Sequence, residues 1–441
     1  MNSAPCGGAL SPPGNGATML NLHNSLIVSA AVAVMVTMAE AKAADIAPEP
    51  ASEFQRAFYD DATFTFHLRS YLLDRYDSAG TDPAAWAAGG WLGYQTDWIG
   101  DVLQLGAVGY TSLPVWAPAD REGSLLLIGN EGFAVLGQAY VALKYEEQVA
   151  TFYRQLVNQP EVNPQDNRMV PNTFEGATAT GDLGPVSYYA GVLTEMKKRD
   201  ADKFVNIADA AGVTQNELMY LGGLVFEPND NFVARTSFYA VPNLLLSSYS
   251  DGGWTVAPTD DTKLKLSGQF MIQSGIGDEL LTGPDFEAWV GGLKGDFTYG
   301  PVTLTAGYTF NGEDDNWRSP YGSWPGYTSM IVKDFNRAEE QAVLLGATFD
   351  FTKVGLEGLV FTALAAIDTD VAPGLPMWNE YDFTADYRFS AFEDRWNWLS
   401  PLWLRARYAL VESDNADGSN GQLDDFRVIL NYDLQFNGKD I

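Results

Sequence analysis

The sequence predicts an all-β protein that forms a transmembrane antiparallel β-barrel. Segments of about ten residues alternate strictly between apolar and polar side chains, whereas strands of soluble proteins average about five or six residues. Glycine and aromatic residues are frequent, with 43 Gly, 12 Trp, 21 Tyr and 24 Phe among 441 residues, as suits many strands joined by tight turns. After residue 43, no apolar run is long enough for a spanning helix.

The alternation is clearest in residues 63–72, TFTFHLRSYL, where Phe64, Phe66 and Leu68 share one face and Arg69 lies on the other. Residues 302–310 and 426–436 alternate in the same way. A soluble antiparallel sandwich gives the same pattern, with its apolar face turned into a core, and stays an alternative. Strand length and aromatic residues near strand ends favour a membrane crossing. Those aromatic residues are Trp396, Trp398, Trp403, Tyr432 and Phe436.

The N-terminal region is typical of a secretory signal peptide. Residues 26–38, LIVSAAVAVMVTM, form a short apolar run that small residues follow, and we expect cleavage after Ala43 or after Ala41. Residues 1–25 contain no Lys or Arg, which favours Met19 as the true initiator; a loosely ordered arm is the alternative. The predicted segments are a signal peptide at 1–43, a short segment at 44–57, the barrel at 58–436 and an extension at 437–441.

Charge and composition exclude several classes of function. The formal net charge of -31 argues against nucleic acid as a partner, and solvated acidic loops explain the acid excess. Acidic surface loops are expected at 313–315 and 414–425. With one cysteine, Cys6, and two histidines, His23 and His67, the processed chain has no disulfide framework and no cysteine-based zinc site. No nucleophile-elbow motif occurs, so we expect no enzyme, no cofactor and no metal.

One stretch is neither strand nor tight turn: residues 163–176, NPQDNRMVPNTFEG. At roughly twenty-two residues per strand with its loops, the chain accommodates about 16 to 18 strands, which enclose an aqueous lumen. A lumen that wide leaks unless something folds into it. Pro164 and Pro171 stiffen this stretch. We therefore predict an inward-folded constriction loop; an exposed loop without a pore role is the alternative. Its polar groups come from Asn163, Gln165, Asp166 and Arg168.

Strand parity places several arginines on the polar, inward face of the barrel. Closure sets the last strand beside the first, so four of them come from neighbouring strands: Arg405, Arg407, Arg427 and Arg69. Arg235 is also on a polar face. Guanidinium groups in series hold a carboxylate weakly and pass it on, which favours conduction of anions or carboxylates. The alternative is that these arginines pair with acids and brace the wall. His67, the one histidine after cleavage, is interpreted as wall lining.

Several segments resemble the OprD family of outer-membrane porins. They are Arg154-Gln155 with Pro160 and 163–176, the stretch 320–337 (PYGSWPGYTSMIVKDFNR), LWLRARYAL, DDFRVILNYDL and the opening strand DDATFTFHLRSYLLDR. The resemblance implies 18 strands, an inward-folded third loop and a ladder of wall arginines facing an electronegative loop surface. Carried over, the ladder falls on Arg69, Arg405, Arg407 and Arg427, with Arg154 and Arg168 near the constriction. The chain departs from the family in its five residues after Phe436 and in an apolar loop expected around 91–130.

The function expected from residues and resemblance together is passive, substrate-selective diffusion of small carboxylate-bearing nutrients across the bacterial outer membrane. The expected partners are outer-membrane lipid, lipopolysaccharide and small anionic or zwitterionic solutes, with the protein as a monomer or loose homotrimer. A structural or adhesive barrel with a plugged lumen is the alternative.

Overall fold

We describe a computed structural model of the chain, which defines residues 52–78, 80–392, 397–415 and 417–440. The predicted signal peptide, with Cys6, His23 and both cleavage sites, lies outside the described residues, as does Trp396. The segment boundaries predicted from the sequence therefore remain predictions.

The described chain forms nineteen β-strands in one sheet. They are β1 (Thr63–Asp77), β2 (Ala84–Gln95), β3 (Leu103–Trp116), β4 (Phe133–Tyr145), β5 (Gln148–Gln155), β6 (Thr173–Leu183), β7 (Val186–Lys197), β8 (Val205–Asn206), β9 (Met219–Asn229), β10 (Phe232–Val241), β11 (Leu245–Thr259), β12 (Thr262–Ser274), β13 (Glu287–Tyr299), β14 (Val302–Asn311), β15 (Gln341–Asp350), β16 (Leu359–Asp370), β17 (Met377–Arg388), β18 (Leu402–Asp414) and β19 (Asn420–Asn437).

The helical segments are short. They are Glu53–Gln55, Arg56–Asp60, Ile207–Ala210, Phe351–Val354, Phe389–Phe392, Asn397–Leu399 and Gly438–Asp440. None of the helices in the described part of the chain has the length and apolar character that a bilayer crossing requires.

The sheet closes into an antiparallel barrel. Strand β1 pairs with β2 on one side and with β19 on the other, in an unbroken register from Thr63 opposite Asn437 to Asp77 opposite Leu423. Strand β8 has only two residues, which pair with the end of β7. Because β7 also pairs directly with β9, β8 is not a separate strand of the wall. The wall therefore has eighteen strands, which confirms the predicted fold and strand number.

The two ends of the barrel differ. At the end that carries both described termini, several turns have two residues: 146–147, 184–185, 230–231, 260–261 and 300–301. At the opposite end the longest connections are 117–132, 156–172, 198–218, 275–286 and 312–340. We call these the short-turn end and the long-loop end. In bacterial barrels the short turns face the periplasm and the long loops face the outside.

The alternation predicted from the sequence is present, with the apolar face outward. Leu68 and Leu304 are 47% and 52% exposed on the outer face, whereas Arg69 and Arg427 on the inner face are 7% and 1% exposed. Exposed apolar side chains around the outside of the barrel suit contact with lipid, because exposing this much apolar surface to water is unfavourable.

Three local predictions are wrong. The expected apolar loop around 91–130 is not one loop, since about half of it is strand: β2 continues to Gln95 and β3 covers Leu103–Trp116. The expected acidic surface loop at 414–425 is mostly the β18–β19 hairpin, in which Asp425 is fully buried. Trp403, which the sequence groups with the aromatic residues expected at the membrane interface, instead has inward parity and donates from its indole N–H to Asp433 at 2.8 Å, so it lies in the lumen wall.

Apolar packing inside the barrel occurs where long loops enter it. One buried cluster joins the loop residues Val157, Val162, Tyr321 and Trp324 to the inner faces of β7 and β9 to β13. A second surrounds Met169 and Val170 against β1 to β4 and β19. The long loops thus fill part of the bore.

Candidate functional site

The connection between β5 and β6, residues 156–172, runs across the inside of the barrel and reaches β1. One guanidinium nitrogen of Arg69 donates to Asp166 Oδ1 at 2.6 Å and to the carbonyl oxygen of Arg168 at 2.5 Å. The Nε of Arg69 donates at 2.8 Å to Asn431 Oδ1 on β19, which holds the guanidinium against the wall. The loop therefore folds inward and narrows the bore.

The first half of this loop is anchored on the far wall. The carboxyl group of Glu161 accepts a hydrogen bond from the hydroxyl of Ser247 on β11. Val157 and Val162 pack beside it in the first apolar cluster. Burial raises the pKa of Glu161 to about 7, while the Ser247 hydrogen bond opposes that rise. This carboxyl group therefore titrates near neutral pH.

Arg168 and its neighbours brace the loop. The Nε of Arg168 donates at 3.1 Å to the carbonyl of Ser124 in the connection 117–132. Met169 and Val170 are fully buried in the second cluster. Burial, and next the charge of Arg427, lowers the pKa of Arg168 to about 9, so it stays charged at neutral pH. Of the two charged residues predicted at the narrowest point, Asp166 is exposed to the bore and Arg168 is buried.

Asn163 and Gln165 shape the start of the predicted segment. The side-chain oxygen of Asn163 accepts from the backbone N–H of Gln165 at 3.0 Å and from the N–H of Ser323 at 3.0 Å. Gln165 has a φ of +44°, a turn conformation that the Asn163 bond stabilises. Gly322 makes this approach possible, because a Cβ there would lie 2.7 Å from the Asn163 amide carbon. Asn163 therefore joins two loops.

The second of these loops is the connection 312–340, which also folds inward. Its chain passes Asn163 at Tyr321 and continues to β17, where three successive backbone N–H groups meet two carboxylates. Ile331 donates to Asp382 Oδ2 at 2.9 Å. Val332 and Lys333 donate to the two Glu380 carboxylate oxygens, both at 2.7 Å. Sequence reasoning did not predict this second constriction.

The arginines of the predicted row lie on β18, β19 and β1, as expected from parity. Arg405 makes a bidentate pair with Asp386 on β17, at 2.6 and 3.0 Å. Arg427 is bound by Asp425, which also accepts from Arg75 on β1 at 2.8 Å. Three of the four ladder positions, Arg69, Arg405 and Arg427, are thus paired with carboxylates.

Arg407 differs from the others. Its Nε donates to the hydroxyl of Thr384 at 3.3 Å, and among the described residues it has no ion pair within 4.0 Å. It stands between Thr384 on one neighbouring strand and Arg427 on the other. Its guanidinium therefore keeps donors that no described carboxylate occupies.

Arg235 and Arg154 do not join this group. Arg235 lies on β10, eight strands round the barrel from β1, and forms a bidentate pair with Asp251 at 2.9 and 3.2 Å. Arg154 pairs with Glu175 at 3.2 Å and lies over the ring of Phe204. Its described contacts are at the base of the loop, away from the Arg69 anchor.

His67 lines the wall. Its ring stacks on Trp91 with centroids 3.6 Å apart, and its Nδ1 is hydrogen-bonded to Asp433. With 4% exposure, it has little access to solute. This geometry agrees with the wall-lining interpretation.

The acids of β17 were missed although a signal was available. The strand MWNEYDFTADYR alternates, so the parity that places Arg405 inward also places Glu380, Asp382, Thr384 and Asp386 inward. The role of 312–340 had a weaker signal, since Trp317, Tyr321 and Trp324 are aromatic side chains in a polar connection and are all buried.

The family model described as "outer membrane porin, OprD family" matches residues 56–436. This chain belongs to the OprD family. The porin is therefore an outer-membrane channel protein of a family of substrate-specific channels, which confirms the resemblance noted in the sequence.

Solved structures show the same fold. The Pseudomonas aeruginosa porin OccK9 (OpdG) is 22% identical with a TM-score of 0.78, over 86% of this chain and 100% of that one. P. aeruginosa OpdK with vanillate is 17% identical with a TM-score of 0.76, over 86% and 100%. Acinetobacter baumannii OccAB1 is 17% identical with a TM-score of 0.76, over 86% and 98%. No curated protein matches the chain significantly.

Proposed function

We propose that this porin is a passive diffusion channel for small carboxylate-bearing solutes, which pass the constriction along the arginine row. The observation that carries the proposal is the guanidinium of Arg407, which forms no ion pair with any described residue, beside the partly exposed Arg405. A carboxylate can occupy the free donors of Arg407 in a geometry that a guanidinium favours.

The row divides into two roles. Arg69 and Arg427 are almost fully buried and bind loop atoms, so they brace the constriction. Arg405 and Arg407 are more exposed and face the lumen between β17 and β19. Weak sites of this kind let a solute enter without trapping it. OpdK, which shares the fold, has been crystallised with vanillate, a carboxylate.

A plugged structural barrel is the competing function. The observation in its favour is the first apolar cluster, in which both inward loops pack against the wall. A plugged barrel predicts no single-channel current in planar bilayers, whereas the channel predicts steps of defined size.

The decisive experiment compares Arg407→Ala with Lys265→Ala. Lys265 has inward parity on β12, six strands from β18, and its replacement removes one inward positive charge elsewhere. We expect Arg407→Ala to lower carboxylate flux into proteoliposomes about fivefold, since an exposed ionic contact is worth about 1 kcal/mol. Lys265→Ala should change it little. Equal flux in wild type and both variants would refute the arginine row.

Export through a cleaved signal peptide and contact with lipopolysaccharide remain part of the proposal. The apolar outer face supports lipid contact. Mass spectrometry of the purified porin, with a mature N-terminus at Ala44 or Lys42 expected, tests the cleavage.

A further inference from the structure

A cavity of about 180 Å³ lies in the lumen wall where β1 to β4 meet. Gly93 lies among the inward residues that line it, which include Thr65, Trp91, Gln95, Val108, Gln138 and Tyr140. All are half-buried, so the cavity communicates with the bore. None of its lining residues carries a charge, in contrast to the arginine row.

The cavity lies between the constriction and the short-turn end. Asp166 is held at Arg69, whereas Thr65 is four residues nearer the start of β1, or about 13 Å along the strand. A solute that has passed the constricting loop towards the periplasm therefore meets it next.

Aromatic and amide side chains hold the cavity open. Trp91 is fixed by its stacking on His67 and by an edge contact with Tyr110, at 5.9 Å between ring centroids. The hydroxyl of Tyr140 donates to Gln95 at 3.1 Å. Gly106 leaves space for the Tyr140 ring, because a Cβ at position 106 would lie 2.3 Å from the Tyr140 Cζ. Larger residues at position 106 would displace the ring.

We propose that this cavity is a binding site for an uncharged aromatic ring. An apolar cavity of about 150 Å³ in another protein holds benzene, so the volume here suits one six-membered ring. Trp91 and Tyr140 offer stacked or edge-to-face contacts to such a ring. The amides of Gln95 and Gln138 suit one neutral polar substituent at the rim. The site deepens the proposed function, because it adds selection for a ring after the carboxylate has passed Arg407.

Benzamide, an uncharged ring, is the probe, and butyramide is its ring-free counterpart. We expect benzamide to cause transient blockades of single-channel current in wild type, with butyramide at least tenfold less effective. Gly93→Leu should fill the cavity, since a Cβ at Gly93 meets Thr65 and Val108 at an ordinary 3.4 Å. It should weaken the benzamide effect at least tenfold, as should Val108→Phe, a second filling variant.

Gly307→Leu is the matched control. Gly307 is also an inward glycine, seven strands from β2, and a Cβ added there would lie 3.4 Å from the Cβ of Leu344. Benzamide blockade retained in Gly307→Leu and lost in Gly93→Leu supports the site. Equal blockade by benzamide and butyramide, or unchanged blockade in both filling variants, overturns it.

Failure of the channel function is separable from failure of this site. Saturation-transfer NMR on the detergent-solubilised full chain reports benzamide binding even without conduction. Because benzamide has no carboxylate, its binding does not depend on Arg407. Binding that Gly93→Leu abolishes and Arg407→Ala retains supports the ring site whatever the flux of carboxylates. Binding lost only in Arg407→Ala overturns it.

Discussion

The two inward-folded loops are anchored to the wall with opposite polarity. Loop 156–172 presents a carboxylate and a carbonyl oxygen to the guanidinium of Arg69. Loop 312–340 presents backbone N–H groups to the carboxylates of Glu380 and Asp382. In each case a buried polar group of the wall would lose hydrogen-bond partners without the loop. The two loops are therefore part of the folded barrel. Their removal should lower the stability of the barrel as well as widen the bore.

The largest effect is expected at the anchor of loop 156–172. Arg69→Ala removes the bonds to Asp166, Arg168 and Asn431. Breaking one side of a buried ion pair costs about 3–5 kcal/mol, discounted here because Asp166 is partly exposed. We expect single-channel conductance to rise as the loop leaves the bore, together with heat-modified gel migration at a lower temperature.

Asp166→Asn is the graded control for this anchor. The amide oxygen can still accept from Arg69, so the loop should remain docked with a smaller loss of thermal stability. An Arg69→Ala channel with wild-type conductance would show that loop 156–172 is held in place without its guanidinium anchor.

The second prediction concerns the pH dependence of docking at Glu161, the other anchor of loop 156–172. Burial raises the pKa of Glu161 from 4.5 to about 7, so the docked loop binds this proton more tightly than an undocked loop does. Docking is therefore strongest below about pH 4.5, weakens as the pH rises towards 7 and is constant above that. The whole change amounts to about 3 kcal/mol. Open-channel noise should increase from pH 5 to pH 8.

Glu161→Gln should remove this pH dependence and keep the loop docked at pH 8. Its side-chain oxygen can still accept from the hydroxyl of Ser247. Glu122→Gln changes an exposed loop carboxylate and serves as the control. If noise in Glu161→Gln rises with pH as in wild type, another group governs docking.

The wall could be predicted from the sequence better than the loops. Strand parity alone placed Arg69, Arg405 and Arg427 inward, because alternation in a barrel leaves only two choices for each side chain. The partners of these residues could not be deduced in the same way. Asp166 is 97 residues from Arg69 in sequence and meets it only because loop 156–172 crosses the inside of the barrel and reaches β1.

The partners of the β17 carboxyl groups could not be predicted from the sequence either. The parity of β17 predicts that Glu380 and Asp382 face inward, yet a buried acidic pair has no evident partner in the sequence. Its partners are backbone N–H groups of residues 331–333, which any residue type other than proline supplies. Anchors that consist of backbone groups therefore cannot be recognised from the residue types in a sequence.

The third prediction tests the anchor of loop 312–340. Glu380→Ala leaves the N–H groups of Val332 and Lys333 without acceptors, and leaving a buried donor unsatisfied costs about 1–3 kcal/mol before partial rehydration. We expect faster hydrogen–deuterium exchange in peptides that cover 331–333, and unchanged exchange in 163–172. Glu412→Ala, an exposed acid on β18, is the control. Unaltered exchange at 331–333 would contradict the anchor.

The smallest effect is expected where the two loops meet. Asn163 and Ser323 are joined by three hydrogen bonds of 3.0 to 3.2 Å: the Asn163 amide donates to the Ser323 carbonyl, and its oxygen accepts from the Ser323 N–H and hydroxyl. Only the hydroxyl bond depends on the serine side chain. Asn163→Ala should therefore cost about 1–3 kcal/mol and Ser323→Ala about 1 kcal/mol.

A double-mutant cycle on these two residues decides whether the loops act as one unit. Since Ser323→Ala has nothing further to remove once Asn163 is alanine, the double variant should be about as stable as Asn163→Ala alone, with a coupling of about 0.5–1 kcal/mol. Thermal unfolding followed by heat-modified gel migration measures it. Additive losses would mean that the loops dock independently, each held by its own contacts with the wall and not by the other loop.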